Sequence, residues 1–526
     1  MATYLTDLHC HSSFKPFNNL EVYPNVNLWQ PIDEKSEHFD AVPNELKPII
    51  AETARSSQSN LDELFTGKVR GLFIVIHPME RGWLYKRASS PHPIRNAILN
   101  QVFKPADRPP LAAALSGLPI EKIQRLFLDI ENDRPINYYE EETYPDYEFI
   151  RNNSVTSGQQ NAEMQLVSNH AEFIDVVRNK PNTIAIILTV EGGHALASYP
   201  YNSIIHKEYH SLTPLEVKFI RDAYLKNVKR IKGQMVQKTF HKNHTPFFIT
   251  LVHMYNNFLA GHAKSYREGT GIFPGMDDFL DQEAALNDGI TPLGYEVIEK
   301  LLHKSDQERR ILIDVKHMSL NARKEYYRIV EGKKVNGDKI PIIFSHGGVN
   351  GFPEARFTGA DTNSDDKFGY LSHWSINLYN EDILKIYESD GLIGLAPHEG
   401  RMPGGEAIEL FSEIKRAINW HDQREQEYRV LLRQEYIKLF LTNVFHIVSI
   451  INRKEAWDII CIGSDYDGIM NPFNSYPRSS HFMLFLGDIK RFLDKSDEDL
   501  VGYFHDSRIR IDRDERRDLM FGLSST

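Results

Sequence analysis

His9 and His11 stand two residues apart in TDLHCHSS (6–13), behind a short apolar run and just after Asp7. In a strand, alternate side chains face the same side, so this pair can hold one metal ion together. The spacing alone is weak evidence, because 22 histidines in 526 residues produce about one such pair by chance. It gains weight from the residues that close other apolar runs. Glu191 ends the run in TIAIILTVEGGH (183–194), and His253 falls in PFFITLVHMYN (246–256). His317 falls in RILIDVKHMS (310–319), His346 in KIPIIFSHGG (339–348) and Asp465 in DIICIGSDYDG (458–468). Imidazoles are neutral ligands, so the carboxylates must supply the negative charge, and a glutamate can bridge two cations with its two oxygens. Two divalent ions about 3.5–4 Å apart can share a hydroxide whose pKa falls towards neutrality. Asp465 could take the proton from the attacking water and pass it to a leaving group. No serine or cysteine nucleophile is required. Cys10 alternates with the two histidines and is expected to face away from them, as a structural residue.

These residues need elements that bring them together. With VRGLFIVIHP (69–78) and GLIGLAPHEG (391–400), the chain has eight short, mostly apolar runs. Runs of this kind suit strands buried on both faces of a parallel sheet. Helical patterns lie between most of them. Thr213, Pro214 and Glu216 predict a capped helix start, Thr291-Pro292 predicts another, and Ser319 predicts a third. Eight strands alternating with helices predict a (β/α)8 TIM barrel, in which all the strand C-termini open into one cup. An open doubly wound sheet is the alternative, but no G-x-G-x-x-G follows the first strand. The reading is one barrel over 1–526, with insertions at about 12–60, 79–160 and 401–455 and a C-terminal extension at about 469–526. The acidic, tyrosine-rich ENDRPINYYEEETYPDYEFI (131–150) is a lid candidate.

Composition bounds the partners. At 41% hydrophobic and 25% charged, the chain can bury a large core. A net charge of −11 argues against nucleic acid or an anionic membrane as the main partner. Two cysteines allow no disulfide framework, so a reducing, cytoplasmic setting is expected. The opening residues lack a basic and then apolar leader pattern. The most apolar long stretch, 436–453, is interrupted by Lys438, Asn443 and His446 and reads as a buried helix rather than a membrane span.

Taken in order, VEGGHAL, LVHMYNN, TPLGYEVIEKLL with ILIDVKHMS, PIIFSHGG and IGSDYDG resemble the membrane (renal) dipeptidase family of metallopeptidases, within the amidohydrolase superfamily. The resemblance covers most of residues 1–20, 60–80 and 180–470. It implies two divalent ions, expected to be zinc, held by His9, His11, Glu191, His317 and His346, with Glu191 bridging. It implies that His253 polarises the scissile carbonyl and that Asp465 is the general acid/base; the departure from the family at His11 could let Asp465 coordinate a metal directly. The substrate would be a dipeptide or related small amide, and the family suggests a homodimer. Two departures stand out. His11 occupies the place of an aspartate in the family's H-x-D, which removes one negative charge. The arginine that takes the substrate carboxylate has three counterparts here, Arg356, Asn377 and Arg401, so N-acyl amino acids or lactones are alternative substrates. The opening stretch also resembles phosphoesterases of the polymerase-and-histidinol-phosphatase type, but their closing D-x-H is absent from the last run.

Overall fold

Eight parallel strands pair in a closed ring. They are β1 (Leu5–Cys10), β2 (Val69–Ile76), β3 (Thr183–Glu191), β4 (Phe248–Thr250), β5 (Leu312–Asp314), β6 (Ile343–Phe344), β7 (Leu392–Leu395) and β8 (Ile460–Ile462). Each pairs with the next, and β8 pairs with β1 through Asp7 and Ile462, so the (β/α)8 barrel is closed. All eight lie within the apolar runs that predict them. In this computed structural model the described residues are 4–32, 57–85, 108–266, 280–353, 369–420, 424–468 and 471–494.

The ring is uneven. The first three strands have 6, 8 and 9 residues, while β4 to β8 have between 2 and 4. A further strand, Glu163–Leu166, pairs with Thr183–Ile186 outside the ring, and β4 pairs with β3 only at Val190 and Glu191. A cavity of about 480 Å³ lies towards the N-terminal ends of the strands, lined by Leu8, Phe73, Leu166, Ile187 and Phe247 among others. It contains none of the chemistry-bearing residues above.

The helices start where side-chain caps satisfy their first N–H groups. Pro214–Ile231 has the full capping box of Thr213 and Glu216, Pro292–Leu302 starts on Thr291, and Leu320–Val335 starts on Ser319. The insertion at 401–455 forms two helices, Gly405–Trp420 and Glu425–Ile451. The polar residues that interrupt the second are tied into the fold. Asn443 Oδ1 accepts from Val349 N–H at 2.9 Å, and His446 Nε2 faces Asn380 Oδ1 at 2.7 Å. Among the described residues no helix is long and apolar enough to cross a membrane.

Within 131–150, the lid candidate, residues 131–135 are exposed and most of 136–150 is packed. Tyr138, Tyr139 and Tyr147 are buried, and Glu142 pairs with the equally buried Arg81 at 2.7 Å. Tyrosine rings with satisfied hydroxyls make this insertion part of the core beside β2. Of the C-terminal extension, the described part carries the helix Phe482–Leu493, whose Phe485 meets Phe440 edge-on at 5.0 Å. Much of the 12–60 insertion, the last 32 residues and Arg356 lie outside the described residues.

Candidate metal centre

Two buried aspartates fasten the strand ends beneath the site. Asp7 in β1 accepts from His9 N–H at 3.2 Å, Ser464 N–H at 2.9 Å and Ser464 Oγ at 2.5 Å, which locks β1 to the end of β8. Asp314, the last residue of β5, accepts from Thr250 Oγ1 at 2.6 Å, Ser345 Oγ at 2.7 Å and the N–H groups of Lys316 and Ser345, both at 3.0 Å. It therefore ties β4, β5 and β6 together below His317 and His346. His317 and Asp465 each follow their strands in a left-handed backbone conformation, with φ of 65° and 58°. Such a conformation is costly for a non-glycine residue and turns the chain sharply at the cup.

Above this floor, Glu191 sits among six imidazoles. Its Oε1 lies 3.4 Å from His9 Nε2, 3.5 Å from His317 Nε2 and 3.7 Å from His346 Nε2. Its Oε2 lies 3.1 Å from His11 Nε2, 3.5 Å from His77 Nδ1 and 3.8 Å from His253 Nε2. Asp465 Oδ1 is 3.2 Å from His11 Nε2, and Asp465 Oδ2 is 3.9 Å from His346 Nε2. The barrel thus brings together His9, His11, Glu191, His253, His317, His346 and Asp465.

These spacings fit divalent cations better than a proton network. A carboxylate offers about four lone-pair sites, too few for six imidazole donors. Most of the separations exceed the range of a good N–H···O bond. Two ligand atoms on one tetrahedral ion with bonds of about 2.0–2.1 Å are separated by about 3.4 Å, close to what is seen here. Several buried polar atoms also lack a hydrogen-bond partner: Nδ1 of His9 and His11, both ring nitrogens of His317, and Glu191 Oε1. Among the described residues, four triads have ligand atoms within 4.8 Å of one another: His9–His11–Glu191, Glu191–His317–His346, His9–His346–Asp465 and His77–Glu191–His253.

The electrostatics agree with this donor set. Burial pushes the His317 and His346 imidazoles well below their usual value, so both are neutral, as ligands must be. Burial alone would raise Glu191, but the surrounding His253 and His9 outweigh it and hold the carboxyl well below the usual range. His11 is the exception. Burial lowers it, yet hydrogen bonds to Asp465 and Glu191 push it up to about 10. Without a cation, His11 carries the proton that bridges two carboxylates, and a bound ion would replace that proton. Cys10 is buried beside Ser12, with its thiol pushed up by burial, in keeping with a structural role.

Two residues join the centre that the sequence motifs do not single out. His77 follows β2 directly, and its strand-end position is the signal that could have found it. Glu80, three residues on, faces His253 Nδ1 at 2.5 Å and accepts from Met254 N–H at 3.2 Å and Tyr255 N–H at 3.3 Å. No pattern links it to His253 across 173 residues. Burial pulls the His253 imidazole down, but Glu191 and Glu80 outweigh it and hold it above its usual value.

The substrate-carboxylate candidates fare differently. Asn377 is wholly buried, and its amide is used on backbone: Nδ2 donates to Arg401 O at 2.8 Å and Ser372 O at 3.3 Å, while Oδ1 accepts from Gly348 N–H at 3.3 Å. This makes Asn377 a brace for the loop after β6. Arg401 donates from Nη1 to Ser265 O at 2.9 Å, with its guanidinium 5.5 Å over the Trp374 ring.

Fold and site together define a closed parallel β/α barrel with a histidine–carboxylate centre at its C-terminal mouth. No protein-family profile matches the chain, and no curated protein matches it. Among solved structures it is similar to a metallopeptidase from Rhodobacter sphaeroides liganded with a phosphinate mimic of the dipeptide L-Ala-D-Ala, at 12% identity, 99% coverage of both chains and a TM-score of 0.44. It is also similar to the probable dipeptidase PvdM from Pseudomonas aeruginosa, at 12% identity, 89% coverage of both chains and a TM-score of 0.42. An amidohydrolase from Pseudomonas aeruginosa covers 88% of this chain and 92% of its own, at 11% identity and a TM-score of 0.36.

Proposed function

We propose that the protein is a metal-dependent hydrolase that cleaves a dipeptide or related small amide, using two divalent ions of which zinc is the expected kind. The observation that carries this reading is the carboxylate of Glu191 set among imidazoles at ligand–ligand spacing, with Asp465 3.2 Å from His11 at the more open edge. His9, His11, Glu191, His317 and His346 would hold the ions, with Asp465 beside them. Bound divalent cations would supply Lewis acidity, polarising a carbonyl and acidifying a water.

The remaining work falls to side chains. The Asp465 carboxylate is 14% exposed, against 3% for Glu191, so it is the acid within reach of an entering substrate. It takes the proton of the attacking water and returns it to the leaving amine, so that the C–N bond breaks to an amine and a carboxylic acid. His253, oriented through Nδ1 by Glu80, donates from Nε2 to the carbonyl oxygen as that oxygen gains negative charge. The buried floor of Asp7 and Asp314 keeps these groups in place between turnovers.

The test is metal analysis with hydrolysis assays on dipeptides, N-acyl amino acids and lactones. Purified protein should carry metal, lose activity to chelator and regain it when the ion is restored. Asp465→Asn should retain metal while kcat falls about 10²-fold to 10⁴-fold. Metal-free protein with undiminished turnover would end the metallohydrolase reading. Good lactone or N-acyl hydrolysis without dipeptide turnover would change the substrate and leave the centre standing.

A further inference from the structure

The end of the barrel opposite the metal centre encloses a space. In a (β/α)8 barrel the interior is ordinarily filled by layers of inward-facing side chains. Here β4 to β8 have only two to four residues each, which leaves the lower layers short of side chains. The result is the cavity of about 480 Å³, whose apolar wall includes Leu8, Phe73, Ile187, Phe247 and Leu392. These residues come from β1, β2, β3, the start of β4 and β7, so the wall is drawn from both sides of the ring. The Phe73 ring stacks on Phe248 at 6.3 Å, and Phe248 lies parallel to the His9 ring at 6.5 Å. The ring of Phe248 therefore stands between the cavity wall and the metal centre.

The cavity runs from inside the ring to its rim. Phe247 is 38% exposed, so its wall can be reached from solvent. At the rim it meets Ser168 and the exposed Arg309. Arg309 donates to Ser168 O and makes no ion pair among the described residues. Glu172 feels its charge, but the two oxygens of Glu172 accept from Ser168 N–H at 2.7 Å and from the Asn169 amide at 2.9 Å. Arg310, the next residue, is instead tied to Asp338. Arg309 is thus a cation at the mouth without a carboxylate of its own. Apolar cavities hold water poorly and take apolar guests, and pockets of about 300–1,000 Å³ suit small molecules. A guanidinium at the open end favours a guest that carries a carboxylate there.

We propose that this cavity is a binding site for an elongated apolar molecule ending in a carboxylate, of the fatty-acid kind, with its chain inside the barrel and its carboxylate on Arg309. The site is separate from the metal centre and does not rest on the hydrolase reading.

The experiment titrates full-length wild type, Arg309→Gln and Ile187→Trp with dodecanoate and with dodecanol, below their aggregation concentrations. Binding is read by calorimetry and by the shift in unfolding temperature. Ile187 is half-buried in the wall, so a tryptophan there fills the space; Leu392→Trp replaces it if that variant does not fold. Wild type should bind dodecanoate and unfold at a higher temperature with it. Arg309→Gln should bind dodecanoate about 10-fold more weakly and dodecanol as wild type does. The tryptophan variant should bind neither. A crystal grown with a brominated dodecanoate should place the bromine inside the barrel. Absence of binding to wild type, or equal dodecanoate affinity in all three proteins, would overturn the site. So would a crystal structure in which another segment of the chain fills the cavity. Dodecanol bound as tightly as dodecanoate by wild type would overturn the carboxylate.

Discussion

Glu80 reaches the site through His253 and the backbone beside it. It receives His253 Nδ1 at 2.5 Å and two backbone N–H groups, so one carboxylate orients the imidazole and, with Glu191, raises its affinity for a proton. Glu80→Gln keeps the shape and removes the charge. We expect unchanged metal content, kcat lower by about 10-fold to 100-fold, and an alkaline limb of the kcat–pH profile moved to lower pH, since His253 would lose its proton sooner. An unmoved limb would separate His253 from the charge on the carbonyl oxygen.

Asp146 offers a residue-scale test of burial in the metal-free protein. Its Oδ2 accepts from Ser13 Oγ at 3.1 Å, its Oδ1 has no hydrogen-bond partner, and burial pushes the carboxyl up to about 7. In the unfolded chain it would titrate near 3.9, so the folded state holds this proton more tightly. Stability is then greatest below about pH 4 and falls as pH rises towards 7, by about 1.4 kcal/mol for each step of one in pH. Asp146→Asn should therefore raise the unfolding midpoint at pH 8 and change it little at pH 4. Equal effects at both values would contradict the buried proton.

At the scale of elements, the narrow contact between β6, β7 and β8 sets His346. A Cβ added at Gly394 would lie 1.8 Å from Ser345 O, and one at Gly463 would lie 1.9 Å from the same oxygen. Both glycines let neighbouring strands close around the residue that precedes His346. Gly394→Ala must push that backbone away, at a cost of about 1–3 kcal/mol. Calorimetry should find a lower unfolding temperature, and metal analysis a more weakly held ion. A variant as stable as wild type would mean that the contact yields cheaply. The existence of these elements could be read from the chain, since apolar runs, Thr-Pro starts and capping residues are local signals. Their lengths could not. Strands of two to four residues persist only because both neighbours pair with them, and pairing is not a local property.

At the scale of the whole molecule, the candidate ligands His9, His11, Glu191, His317 and His346 come from four strand ends, with Asp465 at a fifth, and they meet only when the ring closes. Metal should therefore bind the folded chain and not the unfolded one. Binding at a free concentration about a thousandfold above Kd adds about 4 kcal/mol. Chelator should lower the unfolding temperature, and restoring the ion should raise it again. An unfolding temperature indifferent to metal would show that the residues do not form one centre.

The sequence by itself determined that eight parallel strands would end in histidines and acids. Residue type and apolar run length are written locally, and a parallel barrel has only one end at which its strand C-termini can gather. The tertiary structure alone decided that Glu80 meets His253, that Asn377 braces a loop, and that most of 136–150 packs as core. Each of those outcomes depends on which groups meet across 60 residues or more of chain, or on where an amide finds its backbone partners. Spacing along the chain carries no record of either.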